Sequence, residues 1–209
     1  MASPTPRKRD GAARRKQLCD AGIAVLAEHG SRGLTHQQVD RTAGVPAGTT
    51  SYYYRTRDAL FRGVGQRVAE IDMANLASLA EHEQPGASPW AFLAELVMMQ
   101  AHGQGLALNR ARQELMLATM RDPELAALAG GPVARVIAMT HDALAAAQPA
   151  SEDTALRAAQ SDAVTTFIAG LFSRFAAGDQ PVTDTTHLER MLQAIVTAVA
   201  LAHGEDRDE

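Results

Sequence analysis

The segment LTHQQVDRTAGVPAGTTSYYYRTRDAL, residues 34–60, reads as helix, tight turn, helix and the start of a further helix. Thr35 is placed to cap the first of these, and Gln38 three residues on completes a Thr-x-x-Gln capping box. Val39 and Ala43 lie four apart on one face, and Gly44 supplies the left-handed residue that ends a helix. Val45 fills the corner, and Pro46 suits the first position of a following helix, expected over about Ala47–Tyr54. Gly48, Thr49, Thr50, Ser51 and three tyrosines are poor to middling helix formers. Small polar residues and tyrosines on a weak helix presented by a tight turn suit close approach to phosphates and base edges.

Charge is divided to match. The 209 residues carry a net charge of −4, but residues 1–62 hold 11 Lys and Arg against 5 Asp and Glu, while residues 63–209 hold 9 against 19. Positive charge gathered around a helix-turn-helix favours a nucleic-acid partner, because phosphate neutralisation supplies most non-specific affinity. The basic run at 7–9 taken alone reads equally as a solvated arm.

Apolar residues make up 46% and aromatics only 4%, which favours helix over sheet. No run of about 18 uncharged apolar residues exists, so no membrane span is expected. The N-terminus is basic without an apolar run, unlike a signal peptide. The single cysteine, Cys19, excludes an internal disulfide and points to a cytoplasmic protein with a buried, inert thiol. The seven histidines show no HxxxH or HExxH spacing, so neither a metal nor another cofactor is expected.

Along the chain, residues 1–10 read as a flexible basic tail. A first helix is expected over about Ala12–His29, and a fourth from Arg57, capped by Thr56, to about His82. EQPGASP (83–89) breaks the chain before a fifth helix that reaches about Ala101. HGQG (102–105) precedes a sixth over about Leu106–Met120, and RDPEL (121–125) restarts the chain with Asp122 as cap and Pro123 at the first helical position. GGP (130–132) reads as a break before a seventh helix, Val133–Ala147. An eighth is expected from a Ser151 cap to about Ala177, and a ninth from Thr183 or Asp184 to about His203, followed by a loose acidic tail. The fold class is all-α with about nine helices.

The residues of the opening segment, preceded by AGIAVLAEHGSRGLTHQQVDRTA, resemble the DNA-binding domain of TetR/AcrR-type transcriptional regulators over about Gln17–Val64. Thr50 stands where that family usually has Leu, and Ser51 where it usually has Tyr. The remainder resembles the family only in length and helical pattern. The resemblance implies a three-helix DNA-binding domain at 11–56 and a helical ligand-binding and dimerisation domain at 57–209. It implies a homodimer on a palindromic double-stranded operator, most simply a repressor released by a small apolar effector.

Candidate DNA contacts follow residue by residue. Gln37 occupies a position the family turns to the major groove, where Gln bonds adenine through both amide groups, though a solvated Gln reads as well. Ala47, Gly48, Thr49 and Ser51 begin the recognition helix, where the Gly48 and Thr49 amides and the Thr49 hydroxyl suit phosphate or base contact. Thr35 can cap and touch phosphate together. Tyr53 matches the family's phosphate-binding Tyr or His, Arg57 stands where the family has Lys, and Tyr54 matches its core Phe.

In the body, Met98, Met99, His102, Met116, Met120 and His141, with Phe167, are candidates to line an adaptable apolar ligand site, or an ordinary core. The eighth and ninth helices carry apolar stripes wider than the ~100° one core requires. Phe167, Leu171, Ile195 and Val199 are therefore candidates for a four-helix dimer interface, against a buried hairpin within one chain. Two rivals remain open: a regulator without an effector, and a helical enzyme or lipid carrier, for which no nucleophile–base pairing or glycine-rich phosphate loop speaks.

Overall fold

The computed structural model describes residues 6–81, 86–149 and 151–208, with the backbone alone at 6–9 and 205–208. Among these residues there are nine helices and no strand. They are α1 (Pro6–Gly33), α2 (His36–Ala43), α3 (Thr49–Tyr53), α4 (Arg57–Glu81), α5 (Ala91–Met99), α6 (Gly103–Thr119), α7 (Pro123–Ala147), α8 (Thr154–Ala176) and α9 (Thr185–Asp208).

Several ends lie where the sequence puts them. The Thr35 hydroxyl accepts from Gln38 N at 3.2 Å, Thr56 from Ala59 N at 3.1 Å, and Asp122 Oδ1 from Glu124 N at 3.0 Å. Gly44 is left-handed (φ 65°, ψ 34°) and its N–H returns to the Arg41 carbonyl at 3.2 Å. The return half of the capping box does not form, because the Gln38 side-chain oxygen accepts from Arg41 instead.

Other ends differ. The backbone is helical from Pro6, so the expected flexible tail at 1–10 is helix over 6–10, and residues 1–5 lie outside the described residues. At its far end the regular part of α1 stops at His29 as expected, because Gly30 (φ 65°, ψ −175°) is non-helical and divides it from a last short turn. The expected break at GGP is absent: α7 runs through Pro132, which removes one backbone donor between two long stretches of good helix formers. Asp153, not Ser151, caps α8, its Oδ1 accepting from Leu156 N at 3.0 Å. The acidic residues after His203 continue α9 to Asp208.

The chain divides into two compact units, residues 1–72 with 107–130, and 73–106 with 131–209. This division differs from the expected 11–56 and 57–209. The first unit has a core of Leu18, Val25, Leu26, Leu34, Val39, Leu60 and Val64, closed by Leu108, Ala111 and Leu115 of α6 and Leu125 of α7. The inner face of α6, expected in the ligand-binding body, therefore completes the core of the first unit. The Glu114 carboxylate accepts from Ser31 N at 2.7 Å beside the Gly30 kink, and Arg67 pairs with Asp20 at 2.7 Å. At the other end of α4, Arg112 pairs with Asp72 at 2.6 Å. Glycine at 63 admits the Tyr54 ring, since a Cβ there would stand 2.6 Å from Tyr54 Cε1.

The second unit is built on Trp90, Leu93, Val97, Leu144, Val164, Ile168, Leu171, Phe175, Leu188, Leu192 and Val196. Trp90, 2% exposed, donates its indole N–H to Gln193 at 2.8 Å. Gln160, fully buried, donates to the Val196 carbonyl at 3.0 Å and so ties α8 to α9. At Gly105 a Cβ would lie 1.7 Å from the Met99 carbonyl, so only glycine lets the first turn of α6 lie against the end of α5.

Candidate nucleic-acid interface

The helix-turn-helix is assembled by α2, the turn at 44–48 and α3. Val39 is fully buried and fixes α2 on the core of the first unit, while Gln17 of α1 donates to the Ala43 carbonyl at 3.0 Å. The helix after the turn is shorter than expected. Ala47 and Gly48 form a turn, Gly48 is left-handed (φ 87°), and regular helix begins only at Thr49.

The turn and the start of α3 are tied to Asp40, which the sequence reading passed over. Asp40 is 4% exposed on the last turn of α2. Its Oδ2 accepts from Gly48 N at 2.8 Å, and its Oδ1 accepts from Thr50 N at 2.7 Å and from the Thr50 hydroxyl at 2.5 Å. Burial penalises the Asp40 charge, but the Thr50 and Gly48 donors outweigh it and hold its pKa below the ordinary carboxylate value. Thr50 is fully buried. The departure from Leu at position 50 was the available signal: a polar residue turned inward needs a polar partner, and Asp40 follows directly on the buried Val39.

This geometry changes the part α3 can play. The Gly48 amide is taken by Asp40, and Thr49 N donates to the Pro46 carbonyl at 3.1 Å. Neither amide is left for phosphate, contrary to the sequence expectation. The Thr49 hydroxyl also donates to Pro46, at 2.6 Å, leaving its lone pairs and methyl group for a partner.

Of the eight predicted contact residues, Thr35, Gln37, Ala47, Gly48, Ser51 and Arg57 are exposed, while Thr49 and Tyr53 are half-buried. Tyr53 packs edge-on to Tyr52, with ring centroids 5.1 Å apart, and Arg15 of α1 stands over its ring at 5.2 Å. Tyr52, 72% exposed, is the more open of the two. Arg57 serves as a strut: Nε donates to the Leu34 carbonyl at 3.2 Å and Nη2 donates to the Ser31 carbonyl. Tyr54 turns inward as expected. Its hydroxyl lies 3.0 Å from Cys19 Sγ, and His36 Nε2 donates to its carbonyl at 2.7 Å. Burial, then the bond to Cys19, raises the Tyr54 pKa, and burial likewise raises that of Cys19.

The predicted ligand residues do not gather within either unit. Met116 on α6 and Met120 just after it belong to the first unit and stand 56% and 82% exposed. In the second unit Met98 and Phe167 pack against its core, whereas Met99, His102 and His141 are exposed. Among the predicted interface residues, Leu171 is 3% exposed inside its own unit and has no surface to offer a partner. Phe167, Ile195 and Val199 are half-buried. Among the described residues no cluster of three or more His, Cys, Asp or Glu is arranged to hold a metal, and no helix is long and apolar enough to cross a membrane.

No family model matches the chain, and no curated protein matches it. Solved structures do. A member of the TetR family from Streptomyces coelicolor A3 is 26% identical, over 87% of this chain and 97% of that one, with a TM-score of 0.62. The multidrug binding protein EbrR complexed with ethidium is 24% identical, with coverages of 87% and 97% and a TM-score of 0.60. A Saccharomonospora viridis protein in complex with choline is 12% identical, with coverages of 89% and 96% and a TM-score of 0.71. With nine helices and no strand among its described residues and a helix-turn-helix near its N-terminus, the chain is TetR-like.

Proposed function

We propose that this protein is a DNA-binding transcriptional regulator that responds to a small molecule, a repressor that holds a palindromic operator as a homodimer. The observation that carries the reading is the α2–turn–α3 unit, with Thr35, Gln37, Ala47, Gly48 and Ser51 exposed on the half of the chain that holds the positive charge. Gln37, Ala47, Thr49 and Ser51 would meet base edges, and Thr35, Tyr53 and Arg57 would meet phosphate. Gly48 lets the backbone come close. Two copies would place their recognition helices in successive major grooves, joined through α8 and α9 by surfaces that include Phe167, Ile195 and Val199.

Selection of bound sequences from random duplexes by the purified protein tests this directly. A near-palindromic site is expected, with affinity falling about 10³–10⁵-fold between about 50 and 200 mM salt if some 6–10 phosphates are neutralised. Equal affinity for all duplexes, or a flat salt response, would refute it.

The effector is proposed to be small and apolar and to bind the DNA-free state more tightly than the DNA-bound one, as any such ligand must. The support for a small ligand is the fold, in which the EbrR and S. viridis structures hold ethidium and choline, and the apolar character rests on the methionines of the middle helices. The exposure of Met99, His102, Met116, Met120 and His141 supports a second reading, a regulator with no effector. Thermal shift across a panel of apolar compounds separates the two.

A further inference from the structure

We propose that Asp40 is the positioning residue of the recognition helix, a buried carboxylate on α2 that sets where α3 begins and hence how Thr49 and Ser51 are presented. The inference rests on the DNA-binding reading and adds to it a residue outside the expected contact surface.

Helix α3 has five residues and no side-chain cap of its own, because its N-cap is Gly48. A helix so short cannot hold itself, since nucleation fixes several residues for each hydrogen bond gained. Its sequence, TTSYY, adds little propensity. What holds it is supplied from outside. Asp40 takes Gly48 N, Thr50 N and the Thr50 hydroxyl on two oxygens. The two amides flank Thr49, and Ser51 follows Thr50 directly, so both presumed base-reading residues hang from the anchored backbone. Hydrogen bonds to an ionised acceptor are roughly twice as strong as neutral ones, and these lie out of water. With Val45 N donating to the Asp40 carbonyl at 3.0 Å, the same residue fixes both ends of the turn.

Asparagine is nearly the same shape but offers one acceptor oxygen and one NH₂ group. In Asp40→Asn the NH₂ must face either Gly48 N–H or the Thr50 donors. The fold of the unit has the rest of its core, and the end of α3 keeps Tyr54 on His36 and Cys19, whereas the start of α3 is tied to α2 by this clamp.

The experiment compares the full-length protein with Asp40→Asn and with Thr50→Val, which removes one of the three donors. Amide hydrogen exchange is read residue by residue, and affinity is read for the selected site and for a random duplex. The expected result for Asp40→Asn is loss of protection at Gly48 and Thr50, with α1 and the buried part of α2 unchanged. Affinity for the selected site should fall at least tenfold while random-duplex affinity stays within twofold. Thr50→Val should lie between. Retained protection at Gly48 and Thr50 in Asp40→Asn would overturn the inference. So would an equal fall in specific and random affinity, which is the mark of general unfolding. If the unmodified protein prefers no duplex, the DNA-binding reading fails, and the exchange at Gly48 and Thr50 still decides whether Asp40 anchors α3.

Discussion

Gly63→Ala should loosen the first unit, although alanine is the better helix former by about 1 kcal/mol. At position 63 the added Cβ would stand 2.6 Å from Tyr54 Cε1, 2.9 Å from Cζ and 3.0 Å from the hydroxyl. Carbon atoms rest at about 3.5–4.0 Å, so the ring must retreat by about 1 Å. It is not free to do so. The Tyr54 hydroxyl is on Cys19, its carbonyl is on His36, and its N–H closes α3 on the Thr50 carbonyl. Overpacking costs about 1–3 kcal/mol, and losing the Cys19 contact adds about 1 kcal/mol. Set against the propensity gain, the net loss is about 1–3 kcal/mol. Cys19, the single cysteine and 4% exposed, reports this without a label. Its rate of reaction with a thiol reagent under native conditions follows the opening of the unit, and should rise about 10- to 100-fold in Gly63→Ala. Gly130→Ala, where a Cβ meets nothing within 4 Å, is the control and should stabilise by up to ~1 kcal/mol without exposing the thiol. Unchanged Cys19 reactivity in Gly63→Ala, with an equal or higher unfolding midpoint, would refute the reasoning.

Three other outcomes are expected. Because the Asp40 pKa is lower folded than unfolded, its contribution is complete above the unfolded value of about 4 and is lost as pH falls through the folded value, so acid unfolding monitored at α3 should be blunted in Asp40→Asn. Arg57→Ala should weaken binding to every duplex alike, and should also destabilise the first unit by about 1 kcal/mol, seen as a lower unfolding midpoint, because the Leu34 and Ser31 carbonyls lose the guanidinium and Ser31 keeps only Leu34 N. Single Arg substitutions at Phe167, Ile195 and Val199 should yield at least one folded monomer by light scattering that has lost tight operator binding. A dimer retained in all three would discard the α8–α9 interface.

What was legible in the sequence was local. Thr35, Gly44, Thr56 and Asp122 act within a few residues of themselves, and each does what its type and position imply. The inward turn of Tyr54 followed from the family resemblance, in which its position holds a core Phe. What was not legible depends on partners distant in the chain or on competition between equals. Asp40 meets Thr50 ten residues on, across a turn, and a buried Asp has no periodic signature of its own. Ser151 and Asp153 are both sound caps, and only the path of the backbone chooses Asp153. GGP carries every mark of a break, yet neighbouring residues with strong helix preference carry α7 through it. Leu108, Ala111 and Leu115 join a core most of whose residues lie at 18–68, a pairing that no local pattern announces.

The split origin of that core sets an order of events in synthesis. The helix-turn-helix is complete as sequence by residue 60, but Leu108, Ala111, Leu115 and Leu125 emerge much later. Until they do, Leu26, Leu60 and Val64 lack part of their cover on a growing polypeptide. A gene fragment ending at residue 72 would encode the helix-turn-helix without part of its core, and a chimera that transplants it must carry residues 107–130 with it. The helix-turn-helix is thus tied to the chain's own middle segment, and recombination that cuts between the two would separate it from part of its core.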